Sequence, residues 1–153
     1  MSRTHLQLLL AVATALTLID PASAQAPDPA TQLCVSGISV AYANVGGPRR
    51  QPVAFVGIVD GSGQPVNGAL VVGNWSGCFK QLNDSAVTET ICWEEDGAPV
   101  CEHGVATIWA NKSYSCWGKG KSCSFTFTIT SVTKQGMTYV PDAGPTTASI
   151  PCN

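Results

Sequence analysis

His103 is the only histidine downstream of residue 24, and it stands next to Glu102 and close to Cys101. A Ser–His or Cys–His site needs such a base, oriented by a third group and facing a nucleophile. Glu102 and Cys101 are the partners at hand, yet no nucleophile elbow surrounds them, and only one part of a site is present. His103 reads as a turn residue beside a disulfide. Zinc held by Cys92, Cys101 and His103 is the next possibility. The step from Cys92 to Cys101 is not the C-x₂₋₄-C spacing of structural zinc, and an oxidising compartment favours bridging over metal binding. Calcium would want clustered oxygens such as those of Asp60, Glu94, Glu95 and Asp96, but an acidic turn is ordinarily just solvated. The expectation is no cofactor, no metal and no enzyme.

The aromatic residues offer a different chemistry, that of recognition. The chain has four tryptophans, Trp75, Trp93, Trp109 and Trp117. If Trp75 fills the core of a small domain, the others are in surplus, and exposed aromatics mark interaction sites, including flat platforms for sugars. The alternative is that they cover the ends of the fold and shield its disulfides. Trp117 lies in C-W-G-K-G-K-S-C, residues 116–123. A loop closed there by Cys116–Cys123 would have little room to bury its own indole, and its restricted motion would lower the entropy lost on binding. Trp117 is then the expected anchor, Lys119 and Lys121 add to the association rate, and Trp109 is a further contact. The competing reading folds Trp117 back over the edge of the core.

All seven cysteines, Cys34, Cys78, Cys92, Cys101, Cys116, Cys123 and Cys152, follow an N-terminal stretch with the three parts of a secretory signal. Arg3 supplies the positive start, residues 6–19 the apolar run, and Ala22-Ser23-Ala24 the cleavage signal, so the mature chain is expected to begin at Gln25. A membrane anchor would need about 20 apolar residues, and Asp20-Pro21 stops the run short. In an exported chain the cysteines form a disulfide framework. The expected bridges are Cys92–Cys101 across the 94–97 turn, Cys116–Cys123 around the short loop, and Cys34–Cys152 from first strand to tail. Cys78 is left free or links two chains as a dimer. Cleavage removes Arg3 and Asp20, one basic and one acidic residue, and leaves the net charge at -2. Without a basic stripe, a nucleic-acid partner is not expected, and neither is membrane insertion.

The elements that must position these residues are strands. In residues 123–132 Phe125, Phe127 and Ile129 alternate with Thr126, Thr128 and Thr130. Only an extended strand sorts such a pattern into an apolar and a hydroxylic face. Ile38, Val40 and Tyr42 form the apolar face of a first strand. Residues 53–59 are apolar on both faces, which suits the middle of a sheet. Ala69, Val71 and Trp75 share the core face of a third. Residues 86–93 read as an edge strand spoiled by Glu89. Residues 104–110 and 146–151 complete about seven strands, separated by turns such as Asp60-Gly61-Ser62-Gly63, Glu94-Glu95-Asp96-Gly97 and Gln135-Gly136. No helical periodicity interrupts them. This is the pattern of a single antiparallel β-sandwich of immunoglobulin or fibronectin III type. The expected organisation is a signal peptide at 1–24, a flexible leader at 25–33 and the sandwich at 34–153. Three N-x-S triplets, at Asn74, Asn83 and Asn111, would be glycan acceptors only in a eukaryotic secretory pathway.

The runs D-G-S-G-Q-P-V-N-G-A-L-V-V-G-N-W-S-G, G-V-A-T-I-W and S-F-T-F-T-I-T-S-V-T-K-Q-G-M-T-Y-V-P resemble Ig-like accessory modules of secreted bacterial peptidases and other exported proteins. The likeness covers residues 53–141. Two things depart from it: the chain carries no catalytic domain, and its cysteine content is far higher than such modules usually have. The resemblance implies a non-catalytic role in binding, spacing or surface display, with an extracellular protein or glycan as partner. A secreted inhibitor or effector that presents a disulfide-closed loop is the second expectation.

Overall fold

The computed structural model describes residues 28–116 and 123–152, and these form two β-sheets packed face to face. Ten strands run in chain order among the described residues: β1 (Gln32–Asn44), β2 (Arg49–Asp60), β3 (Leu70–Gly77), β4 (Leu82–Val87), β5 (Glu89–Glu95), β6 (Ala98–Trp109), β7 (Tyr114–Ser115), β8 (Ser124–Thr133), β9 (Thr138–Tyr139) and β10 (Thr147–Pro151). The first sheet has the order β5-β6-β2-β1-β9, with β7 also paired to β2. The second has the order β10-β8-β3-β4. All pairings are antiparallel except the short β1–β9 contact. The expected all-β sandwich is the observed one, with more strands than the seven read from the sequence. No helix among the described residues is long and apolar enough to cross a membrane.

The extra strands have identifiable origins. The stretch read as one edge strand at 86–93 is two, because the chain changes sheets at Thr88. Thr88 is 1 % exposed. Its hydroxyl donates to the Val66 carbonyl at 2.6 Å and accepts from the Ala69 amide at 2.9 Å. Its own N–H and C=O pair with Ala69 and Gly68. Buried polar groups must find partners, and here one residue and the 66–69 segment satisfy each other completely. Both halves of the split strand still lie at sheet edges, as the charged Glu89 implied. The other additions, β7 and β9, span two residues each.

Leu33, expected in a flexible leader, is fully buried in β1, because it alternates with Val35 on the core face. Strand order therefore begins before Cys34, and Asp28 already caps a short 3₁₀ turn at Pro29–Thr31. The expected signal peptide and the start of the leader lie outside the described residues.

The core is what the alternation of β8 requires. Phe125, Phe127, Ile129 and Val132 are buried against Val71 and Trp75 of β3 and against Ala54, Val56 and Ile58 of β2. Ile129 and Val132 are three positions apart, rather than two, because a bulge opposite Val72 and Gly73 resets the phase. Trp75 is fully buried, with its ring 4.8 Å from that of Phe127. At the β1–β2 hairpin end, Tyr42, Phe79 and Tyr114 each set a ring against Phe125, and Arg50 stacks 5.6 Å above Tyr42.

Three disulfides tie the fold, and two of them differ from expectation. Cys92–Cys101 joins directly opposed residues of the β5–β6 hairpin. Cys123 pairs with Cys78, not Cys116, since β8 lies beside β3 and the Cys78 amide bonds to the Ser124 carbonyl. Cys116 pairs with Cys152, not Cys123: it follows β7 in the first sheet, Cys152 follows β10 in the second, and the bridge staples the sheets together. Cys34, expected to pair with Cys152, is free, and Cys78, offered as the odd thiol, is bonded. From Cys34 to the Tyr42 end of β1 is about 26 Å of strand. Cys34 thus sits near the opposite end of the sandwich from Cys152, and alternation turns it away from the core. Three such bridges within one chain belong to an oxidising, non-cytoplasmic compartment.

Candidate functional site: the outer face of the larger sheet

The candidate site is built on β2 and β6. Even-numbered residues of β2 enter the core, so Val53, Phe55 and Gly57 face outward. Register places Trp109 opposite Val53, Thr107 opposite Phe55 and Val105 opposite Gly57. Directly opposed residues present their side chains on one face. Val53 and Val105 are both only 3 % exposed yet lie outside the core cluster. Trp109, 47 % exposed, stands directly opposite Val53 on that face.

The same face continues onto β5. Trp93 opposes Val100 and Ile91 opposes Glu102. Glu102 and Val105 border a shallow trough whose floor is formed by Gly37 and Gly57, with Ser36, Ser39 and Phe55 along it. A side chain at position 57 would meet Ser36 Oγ at 2.5 Å, so glycine there keeps the floor low. Trp93 is 43 % exposed. Its partner Val100 and Trp109 are nine positions apart on β6, about 30 Å along the strand. Two half-exposed indoles therefore flank one trough, whose lining includes the carboxylate of Glu102.

Of the residues singled out by sequence, Trp109 belongs to this face. Trp117, Lys119 and Lys121 lie outside the described residues. The closed loop assigned to them rested on Cys116–Cys123, whereas these cysteines bond to Cys152 and Cys78. Trp93 was legible only as a surplus tryptophan, since a face shared by β5 and β6 depends on a pairing that the sequence does not state. The missed signal was in β2. A strand apolar on both sides needs cover on its outer side as well as its inner.

His103 is placed elsewhere. Cys101 is bonded to Cys92, so its sulfur is not available as a nucleophile. His103 Nδ1 lies 2.8 Å from Thr90 Oγ1, which accepts from Asn67 Nδ2, while Asn67 Oδ1 accepts from the Gly104 amide. Lys134 Nζ donates to the Asn67 carbonyl at 2.6 Å. These bonds pin the 64–68 loop to a bulge at Gly104, whose positive φ of 72° and close approach to Ile58 and Val66 exclude a side chain. The cleft beside them, between His103, Asp60, Lys134 and Met137, is open to solvent. Asp60 spends its carboxylate on the amides of Ser62 and Gln64, which shapes the expected 60–63 turn.

No protein-family model matches the chain, and no curated protein or solved structure matches it either.

Proposed function

We propose that the protein is an exported, non-catalytic binding module that takes an extended extracellular ligand, a glycan chain before a protein, on the outer face of its larger sheet. The observation that carries this reading is the pair of half-exposed tryptophans, Trp93 and Trp109, on one sheet face with a glycine-floored trough between them. Indole faces supply apolar area against sugar rings, and Ser36, Ser39 and Glu102 offer hydroxyl and carboxylate partners between them. Sparse charge suits a neutral ligand better than a polyanion, and the chain carries only 8 basic residues. The sheet holds both indoles on strands, so little conformational entropy is lost when a ligand lands.

The test is a glycan-array and soluble-polysaccharide screen with the oxidised protein, followed by Trp109→Ala and Trp93→Ala. Anchor residues of this kind are worth about 2 kcal/mol or more, at least tenfold in affinity. Each variant should lose binding by that factor with its melting temperature close to wild type. Binding unchanged in both variants would remove the outer face as the site.

A further inference from the structure

Four cysteines from distant parts of the chain meet at one end of the sandwich. Cys78 follows β3, Cys116 follows β7, Cys123 precedes β8 and Cys152 follows β10. They are bonded as Cys78–Cys123 and Cys116–Cys152, yet the Sγ atoms of Cys78, Cys123 and Cys152 all lie within 4.8 Å of one another. Cys116 Sγ is bonded to Cys152 Sγ and so borders the same group. These are two disulfides in one sulfur cluster. We propose that in the reduced protein Cys78, Cys116, Cys123 and Cys152 form a tetrathiolate site for one zinc ion.

The geometry suits that coordination. Tetrahedral zinc with Zn–S bonds of about 2.3 Å sets its sulfurs about 3.8 Å apart. Opening the two S–S bonds lets each bonded pair relax outward towards that spacing. The distances from Cys152 to Cys78 and Cys123, bounded by 4.8 Å, need to contract by about 1 Å at most, and Cys116, which lies outside that group, swings in once its bond to Cys152 is opened. The backbone holds the four positions without help from the sulfurs. The Cys78 amide donates to the Ser124 carbonyl at 3.0 Å, the Cys152 amide to the Cys123 carbonyl at 2.9 Å, and the Cys116 amide to the Pro48 carbonyl at 3.0 Å. Cys116 and Cys152 are 7 % and 5 % exposed, which keeps water from competing for the ion. Cys92 and Cys101 sit on the exposed β5–β6 hairpin, and Cys34 is near the far end of β1, so neither can join the site.

The chemistry balances with a reductant of the dithiol or phosphine class. Two disulfides take up four electrons and four protons to give four thiols, while two equivalents of reductant are oxidised. Zinc then displaces the four thiol protons and leaves a centre of net charge about -2. In an oxidising compartment the same positions are two staples; in a reducing one they are a single metal centre.

The test uses the intact wild-type protein, reduced with a phosphine, given one equivalent of zinc, pulsed with N-ethylmaleimide and peptide-mapped. Cys78, Cys116, Cys123 and Cys152 should be protected at least tenfold over the zinc-free sample, with Cys34, Cys92 and Cys101 labelled at unchanged rates. Cobalt in place of zinc should give the intense visible bands of a tetrahedral tetrathiolate at one ion per chain, and Cys78→Ser should abolish that spectrum. If reduction unfolds the chain, added zinc should restore its circular dichroism. Equal labelling of all seven cysteines, protection at Cys92 and Cys101 instead, or a reduced chain that zinc fails to refold would each overturn the site.

Discussion

Replacing Thr88 by valine keeps the shape of the side chain and removes only its hydroxyl. That hydroxyl is the partner of the Val66 carbonyl and the Ala69 amide, which lie beside residues 7 % and 0 % exposed. Water cannot take its place. Each buried backbone group left without a partner costs about 1–3 kcal/mol, so Thr88→Val, which leaves two, should cost about 2–6 kcal/mol. Against a domain stability of about 5–15 kcal/mol this is a large fraction. Thr88→Ser makes the complementary change, retaining the hydroxyl and losing one methyl, for about 1 kcal/mol. Urea unfolding of the oxidised protein reads both, with an unchanged slope showing that stability alone has shifted. A valine variant as stable as wild type, or a serine variant that costs more than valine, would refute the claim that hydrogen bonding at Thr88 fixes the change of sheet.

Trp75→Ala should destabilise the oxidised domain by about 3–5 kcal/mol, measured by the same unfolding curves, because the indole is fully buried against Phe127. Peptide mapping of the non-reduced protein should find Cys78–Cys123, Cys92–Cys101 and Cys116–Cys152 with Cys34 alkylatable; a Cys116–Cys123 peptide would contradict the fold at that end. Burial first, then Asp142 and Cys34, raise the Tyr139 hydroxyl above the ordinary value of 10.0. The folded state therefore holds this proton more tightly, so its contribution is complete below about pH 10 and is lost as the pH rises beyond it. Tyr139→Phe should flatten that alkaline loss in urea midpoints taken across the range, and an unaltered slope would assign the loss to other groups.

The parts legible in the sequence were those set by local periodicity. Phe125, Phe127 and Ile129 revealed both the strand and its core face, and Trp75 the centre of the packing, because alternation with the pleat needs no knowledge of the partner strand. Thr88 was illegible for the opposite reason. Nothing in Val87-Thr88-Glu89 breaks an extended chain, and the change of sheet depends on carbonyl and amide groups some twenty residues earlier. The cysteine pairing failed likewise. Nearness in sequence favoured Cys116 with Cys123, whereas strand order put Cys78 next to Cys123 and set Cys152 beside both. Trp109 could be read as surplus to the core, but its place opposite Val53 follows only from the β2–β6 register.

The placement of the two clustered disulfides also determines how the chain would bear tension. Pulled between Asp28 and Cys152, it would extend from Asp28 to Cys78, cross to Cys123 through one bridge, run back to Cys116 and leave through the other at Cys152. Only β1, β2 and β3 lie on that path; β4 to β10 hang in covalent loops that carry no load. The reach is then set by the residues before Cys78 and the short link between Cys116 and Cys123, at about 3.3–3.6 Å each. A protein held at a surface by its ends would act as a tether of limited stretch.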